Sequence, residues 1–353
     1  MTATAENDTR VWPAGAVEAH LAVVSRDVRR AMLAEIPDGE PHAWLYRAAR
    51  EYPSRPGKAI RPALCLASCA AFGGDEAAAM PVAVAIELLH NAFLVHDDIV
   101  DGSVRRRGRA TLSEEYGAAL ALNAGDALAV IANETLRRHT RSMTTQLADR
   151  VHEEFSTMAF RTLEGQATEL GWRSDPLVDL TPEDYLDLIM HKTCWYTTIH
   201  PLRVGAVIGS AGRADLRPMV RFGFHLGAAF QIQDDLLNLL GEEAAYGKEI
   251  CGDLYEGKRT LVLIHLVHHA RGADRATIAR YLDRERSERT DEQVGEIRAL
   301  MDEYGSIDFA REYADGIAGA AVEAFHEAFG HRPDGPATEF LRSLIPYMLG
   351  RRS

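Results

Sequence analysis

The stretch Leu88–Asp101, LLHNAFLVHDDIVD, runs apolar residues directly into three carboxylates. Its apolar part ends a longer apolar segment, Ala77–Val95, which Pro81, Glu87 and His90 interrupt. This segment therefore falls short of the roughly 20 uninterrupted apolar residues that a membrane span needs. The sequence predicts a buried helix that carries acids at its end, and no membrane-spanning segment.

Helical patterns cover the rest of the chain as well. Ala, Leu and charged residues dominate, and the alternating Val, Ile and Thr patterns typical of strands are almost absent. The breaks are rich in Gly, Pro, Asp and Ser, and none is long enough for an interdomain linker. We expect an all-α fold with a single domain over 1–353, of which about 1–14 form a flexible tail. Helices are predicted near 15–36, 41–51, 58–72, 77–101, 111–139, 142–171, 181–211, 214–240, 257–271, 273–284, 290–304, 306–328 and 336–350.

Composition excludes some classes of function. The formal net charge is -13, which argues against nucleic-acid binding because phosphate backbones attract clustered Lys and Arg. The four cysteines form no CxxC pair, so we interpret them as reduced core residues and not as zinc ligands. The N-terminus lacks the basic start and apolar stretch of a secretory signal, which favours a cytoplasmic protein.

The acidic cluster is one of two. Asp97 and Asp101 lie four residues apart, so a helix places them on one face. The stretch Phe222–Asn238, FGFHLGAAFQIQDDLLN, brings a second apolar helix to Asp234 and Asp235. Charge runs usually form a solvated surface, but acids at the ends of two apolar helices favour the mouth of a cavity. Such carboxylates suit Mg²⁺, which leaves coordination positions for substrate phosphates.

Basic residues accompany both acidic clusters. A diphosphate bridged by metal keeps oxygens free for Arg and Lys, and the recurrence of these residues beside the acids favours binding over a surface role. Upstream, Lys58 and Arg61 are three apart in GKAIRP, which places them on one face of a predicted helix. The residues that follow the two clusters are Arg105, Arg106 and Arg107, and Lys248, Lys258 and Arg259.

Five motifs in order resemble the trans-isoprenyl diphosphate synthases, also called polyprenyl synthetases. They are GKxxRP, DDxxD with RRG, a KT pair, FQxxDD, and GK followed by DLxEGKRT, between about Gly57 and Ile307. The resemblance implies antiparallel helices around a deep central cavity, the isoprenoid synthase fold, usually as a homodimer. It also implies an enzyme that condenses isopentenyl diphosphate with an allylic diphosphate (dimethylallyl, geranyl or farnesyl).

The resemblance implies a role for each matching residue. Ligands of three Mg²⁺ ions that hold the allylic diphosphate are Asp97, Asp101 and Asp234. Contacts to that diphosphate come from Arg106, Lys192, Gln231, Lys248 and Lys258. The isopentenyl diphosphate pocket contains Lys58, Arg61, His90 and Arg107. The KT pair, Lys192 and Thr193, helps to stabilise the carbocation, and the released diphosphate removes the final proton, so no protein base is required.

Two positions bear on the product and one departs from the family pattern. Ala92 and Phe93 match the floor of the tunnel for the growing chain. Ala92 is small where short-chain enzymes often carry an aromatic, and Phe93 is bulky where the longest-chain enzymes are often small. This mixture predicts the twenty-carbon geranylgeranyl diphosphate, with fifteen or twenty-five carbons as neighbours. Asn238 stands where many members have a third Asp, and we expect activity to persist without that charge.

Two other functions remain open at this point. A class I terpene cyclase or lyase shares the fold but has no use for an isopentenyl diphosphate pocket, which GKxxRP and His90 build. A non-catalytic subunit that regulates a partner synthase tends to lose its acids, whereas both aspartate pairs remain here. We also expect Trp195 and Tyr196 to be core-packing residues, because aromatic side chains usually fill cores.

Overall fold

The computed structural model describes residues 11–175, 179–241 and 250–350. These residues form a bundle of helices with one two-residue hairpin, which confirms the predicted all-α fold. The helices are α1 (Ala14–Glu35), α2 (Arg47–Ser54), α3 (Ile60–Ala71), α4 (Glu76–Val100), α5 (Leu112–Tyr116), α6 (Ala118–His139), α7 (Thr145–Ser174), α8 (Pro182–Ile189), α9 (His200–Gly209), α10 (Arg217–Leu240), α11 (Gly252–Glu256), α12 (Leu261–His269), α13 (Gly272–Leu282), α14 (Asp291–Glu303), α15 (Ser306–Phe329) and α16 (Pro336–Leu349). Two π-helices cover His42–Tyr46 and Met190–Ile199, 3-10 turns cover Thr140–Ser142 and Arg286–Glu288, and β1 (Arg105–Arg106) pairs antiparallel with β2 (Arg109–Ala110).

Helix α4 is the central element of the bundle. It packs against α1, α3, α6 and α9, and its apolar residues belong to the larger of the two hydrophobic clusters. By length and composition alone it is apolar enough to cross a membrane, and 72% of its most apolar window is buried inside the molecule. This burial confirms the predicted core helix, which begins at the N-cap Asp75, whose carboxylate accepts the Ala77 N–H at 2.9 Å.

The predicted helix near 181–211 is continuous but changes its winding. It starts at the capping box of Thr181 and Asp184, runs through α8, widens to a π-helix over Met190–Ile199, and ends as α9. Glycines on the neighbouring helices allow close approach: a Cβ on Gly165 of α7 would lie 2.3 Å from the Lys192 backbone nitrogen. The wide turn at Lys192 is thus packed against backbone, and such π segments often occur at functional sites.

We expect Gly165→Ala to destabilise the fold by about 1–3 kcal/mol and to lower turnover, because the added methyl group must displace the π-helix. The matched control is Gly171→Ala on the same helix, where a Cβ meets no heavy atom within 4 Å. The control should gain up to about 1 kcal/mol from its better helix propensity. Urea unfolding of both variants gives the comparison, and equal stabilities would contradict the close approach.

Several boundaries differ from those predicted. The helix predicted near 58–72 begins at Ile60, and Ala59 adopts a left-handed conformation (φ 50°). Lys58 therefore precedes the helix, and its placement on one helical face with Arg61 was wrong. The helix predicted near 111–139 is interrupted at Gly117 (φ 82°), and 105–110 form a hairpin. Of the tail predicted over about 1–14, residues 1–10 lie outside the described part, and the backbone N–H of Trp12 donates to Ser343 Oγ at 2.7 Å.

Candidate active site

A cavity of about 420 Å³ opens where α3, α4, α7, α8, the π-helix and α10 meet. It brings together most of the residues that the sequence indicated, from five separate motifs. These are Lys58, Arg61, His90, Asp97, Asp101, Arg106, Arg107, Lys192, Thr193, Gln231, Asp234 and Lys258. Lys248 lies outside the described residues, and Ala92 and Phe93 are not among the described residues that line this cavity.

The first acidic motif contributes two carboxylates in different environments. Asp101, the C-cap of α4, accepts Arg173 Nη1 at 2.8 Å and lies 3.4 Å from Lys258 Nζ. Although burial opposes the change, Lys258, Lys192 and Arg173 hold the pKa of Asp101 below its usual range. Asp97 receives no side-chain hydrogen bond from the part of the chain that the structure describes, and burial raises the pKa of its carboxyl. Asp97 is therefore the acid of this motif that most needs a cation.

The second acidic motif faces the cavity from α10. Asp234 and Asp235 both line it, together with Asp253 from α11. Asp235 is tied into the protein: it accepts Tyr185 OH at 2.7 Å and Gln231 Nε2 at 2.7 Å. The Gln231 oxygen in turn accepts the Thr193 hydroxyl at 3.0 Å, so the amide has a fixed orientation.

Two lysines of the cavity lie among its acids. Lys192 Nζ donates to Glu169 Oε1 on α7 at 2.5 Å, and although burial opposes the change, Glu169 and Asp97 raise the pKa of Lys192. Lys258 Nζ lies 2.5 Å from Glu256 and 3.3 Å from Asp253. Both ammonium groups therefore stay protonated and sit among carboxylates, where an anionic ligand can bind between them.

A second group of cations lies on the α3 side of the cavity. Arg61 donates to Thr197 Oγ1 at 2.8 Å, approaches His90 Nε2 at 3.4 Å and stacks with its guanidinium carbon 4.1 Å from the centre of the Tyr196 ring. Arg107, at φ 53°, lies beside Gly57, where a Cβ would come within 2.9 Å of the guanidinium. These contacts explain the glycine of the GKxxRP motif.

Arg106 is held by Asp98, the acid that lies between the cavity-lining Asp97 and Asp101 in the sequence. Its Nε donates to both oxygens of Asp98, at 3.0 and 3.1 Å, and its Nη2 donates to the same carboxylate. Asp98 is 1% exposed and does not line the cavity within the described ranges. The three acids of DDxxD therefore do not act together: two face the cavity and one anchors an arginine.

Asn238 is buried next to the second acidic motif. Its side-chain oxygen accepts the backbone N–H of Asp253 at 3.1 Å, and its backbone oxygen accepts the Cys251 N–H at 2.8 Å. It is not among the described residues that line the cavity. The amide supports the start of α11, and the expectation that activity persists without a charge here stays a prediction.

Comparison with known proteins gives the family. The sequence profile of Polyprenyl synthetase matches residues 42–301. The chain belongs to this family.

Relatives agree over most of their length. A short chain isoprenyl diphosphate synthase of Methanothermobacter thermautotrophicus is 32% identical over 310 residues, 87% of this chain and 90% of the relative. A geranylgeranyl diphosphate synthase of Sulfolobus acidocaldarius is 30% identical over 87% of this chain and 91% of its own. The crystal structure of the geranylgeranyl pyrophosphate synthetase of Pyrococcus horikoshii superimposes with a TM-score of 0.84 at 32% identity, covering 96% of this chain and 99% of that one. The predicted prenyltransferase class is confirmed.

The donor set of this polyprenyl synthetase fits magnesium. Within the described ranges no three His, Cys, Asp or Glu side chains converge as a ready metal centre. Mg²⁺ needs no such cage, because it binds one or two carboxylates and completes its shell with water and phosphate oxygens. Asp97 forms no ion pair within 4 Å among the described residues, and it shares the cavity with Asp101 and Asp234. These three residues would hold the ions.

Sequence reasoning missed several residues of this site. Tyr196 packs against the larger hydrophobic cluster, as expected, but it also lines the cavity and stacks on Arg61, which the sequence reasoning missed. Glu169 and Arg173 lie one helical turn apart on α7 and were not singled out, since lone charges on a helix are usually solvated. Asp253 had a usable signal, because it opens the DLYEGKRT run from which Lys258 and Arg259 were considered.

Proposed function

We propose that this chain condenses isopentenyl diphosphate with an allylic diphosphate and makes geranylgeranyl diphosphate. One observation carries the proposal: a single cavity is lined both by carboxylates from two helices and by the Arg61, His90 and Arg107 group. A terpene cyclase ionises one diphosphate and has no use for the second group. Relatives named as geranylgeranyl diphosphate synthases support the twenty-carbon product.

The residues divide the reaction between two diphosphates. Lys192, Lys258, Arg106 and Gln231 bind the allylic diphosphate as it departs, and their charges or dipoles compensate the charge that develops on it. Magnesium ions, three by the family pattern, would add positive charge to the same leaving group when bound by Asp97, Asp101 and Asp234.

The other residues place the nucleophile and protect the cation. Lys58, Arg61, His90 and Arg107 orient isopentenyl diphosphate with its double bond toward the allylic carbon, which converts a bimolecular step into a positioned one. The Thr193 hydroxyl presents its oxygen to the carbocation from the π-helix. Leu94, Phe230 and Tyr196 line the cavity with apolar surface and exclude water from the carbocation. Released diphosphate accepts the final proton.

An assay of the purified chain tests this function. The protein is incubated with labelled isopentenyl diphosphate, with Mg²⁺ and with dimethylallyl, geranyl or farnesyl diphosphate in turn, and the dephosphorylated alcohols are sized by chromatography. Chain elongation that stops with EDTA and returns with Mg²⁺ is the expected result. Cyclised or shortened hydrocarbons from an allylic diphosphate alone would establish the lyase function instead, and no turnover of any substrate would favour a regulatory subunit.

Product length gives a further prediction. Phe93 packs edge-on against Tyr196, with ring centres 5.9 Å apart, and Ala92 is fully buried beside it on α4. Phe93 thus lies directly behind Tyr196, a residue of the cavity wall. Ala92→Phe should shorten the main product, because a core packed at crystal density does not expand for five more carbons. Phe93→Ala should lengthen it, since each methylene of the tail gains about 0.8 kcal/mol on burial in the vacated volume. Unchanged distributions in both variants would show that these residues are only core packing.

Three broader proposals accompany this function. The chain forms one catalytic domain, supported by α10, which contributes Leu226 to one hydrophobic cluster and Ala228 to the other. It acts in the cytoplasm. It forms a homodimer, supported by four large apolar side chains that stay exposed on α6 and α7: Leu122, Val130, Phe160 and Leu163.

A further inference from the structure

The second acid of each aspartate pair is tied to a buried tyrosine. Asp98 accepts Tyr52 OH at 2.5 Å, and Asp235 accepts Tyr185 OH at 2.7 Å. Tyr52 and Tyr185 are only 1% and 2% exposed. Two motifs on different helices have thus arrived at the same local arrangement, which general packing does not explain.

Each of these carboxylates also holds one donor of the cavity wall. Asp98 binds the guanidinium of Arg106 through Nε and Nη2, and Asp235 binds the amide of Gln231 at 2.7 Å. A carboxylate has about four lone-pair positions, so it can accept a phenol and a second donor together. The tyrosine hydroxyl therefore fixes the rotation of the carboxylate, and the carboxylate fixes the donor.

Tyr52 also supports the β1–β2 hairpin, which contains Arg106, through Arg55. The guanidinium carbon of Arg55 lies 4.6 Å from the centre of the Tyr52 ring. Arg55 donates from Nη1 to the Arg106 carbonyl at 3.1 Å and from Nη2 to the Ala110 carbonyl at 2.9 Å. The hydroxyl of Tyr52 thus acts on the Arg106 side chain, and its ring supports the arginine that holds the backbone of β1 and β2.

We propose that Tyr52 is a positioning residue for the allylic diphosphate, and that it acts through Asp98 on the guanidinium of Arg106. Tyr52 is not among the described residues that line the cavity, so it does not touch the ligand. The proposal rests on the function proposed above, which assigns Arg106 to the allylic diphosphate. It makes Asp98 a structural anchor of the motif and not a metal ligand.

The decisive variant is Tyr52→Phe, which removes the hydroxyl and keeps the ring under Arg55. Calorimetric titration with inorganic pyrophosphate in the presence of Mg²⁺ measures binding without turnover. We expect the dissociation constant to rise about fivefold or more, because the lost hydrogen bond ends on a charged group. In an Arg106→Lys background the same change should raise it less than about twofold, since coupled residues are not additive. Asp98→Glu, which shifts the carboxylate by one methylene, should weaken binding as well.

A core variant separates positioning from stability. Ser68→Ala removes a buried hydroxyl that donates to the Leu202 carbonyl at 2.7 Å, so it should lower the unfolding temperature and leave the dissociation constant unchanged. An unchanged constant in Tyr52→Phe, or an equal loss in both backgrounds, overturns the positioning role alone. A folded wild-type protein that binds no pyrophosphate overturns the proposed function and this inference together.

Discussion

Asp97→Ala and Asp234→Ala should each lower turnover by about a hundredfold or more while the protein stays folded. Each change removes an acid that would bind metal where charge develops on the departing diphosphate, and loss of one such interaction typically costs about 3 kcal/mol of transition-state stabilisation. Folding should not suffer, because Asp97 is the acid whose pKa burial raises and its removal relieves a desolvated charge. Turnover at saturating substrate and thermal unfolding are the two measurements.

The matched control is Asp126→Ala. Asp126 is an exposed acid on α6 whose oxygen lies 3.4 Å from His96 Nε2, the neighbour of Asp97 in sequence. The Asp126→Ala substitution removes the same charge at a position that does not line the cavity, so turnover should remain within about twofold, as for most surface substitutions. A loss below about tenfold in Asp97→Ala would contradict the assignment of this residue to a metal ion.

Arg61→Ala should raise the KM for isopentenyl diphosphate by about ten- to a hundredfold, because a charge-assisted hydrogen bond contributes about 1.5–3 kcal/mol. The KM for the allylic substrate should change far less, since Arg61 contacts His90, Thr197 and Tyr196 and belongs to the group assigned to isopentenyl diphosphate. Initial rates with each substrate varied in turn separate the two constants.

A companion variant checks the position of this pocket. His90→Ala should show the same selective effect as Arg61→Ala, with a smaller size because an imidazole offers fewer hydrogen-bond donors than a guanidinium. Equal increases in both KM values, or an increase for the allylic substrate alone, would mean that the two diphosphate pockets have been exchanged in our assignment.

The helices of the fold were largely predictable, because the spacing of apolar residues along the sequence indicates where helices form. The apolar run before Asp97 and the run before Asp234 both formed the expected core helices, α4 and α10. The spacing of apolar residues does not indicate where a helix changes from α to π winding, or where two helix backbones approach each other closely. The π-helix at Lys192 exists because Gly165 lets two backbones meet, and that requires knowing which helices are neighbours. The RRG hairpin likewise depends on Arg55, fifty-one residues before Arg106.

The site was predictable as a set of residues but not as a network. The motifs named the acids and the basic residues that share the cavity. They placed Asp98 on a different face of α4 from Asp97 and Asp101, but they did not indicate what Asp98 binds. The partners that decide this difference, Tyr52 and Arg106, come from other elements and follow no spacing rule with Asp98.

The ring of Tyr196 contacts both Arg61 and Phe93. One side carries the Arg61 guanidinium at 4.1 Å, and its other contacts include the ring of Phe93 at 5.9 Å between centres. A substitution that resizes residue 93 therefore shifts the surface on which Arg61 rests. With Phe93 and Arg61 in their proposed roles, we expect the number of units added and the affinity for each incoming unit to be linked, so that selection for a longer product also changes how much isopentenyl diphosphate the enzyme needs.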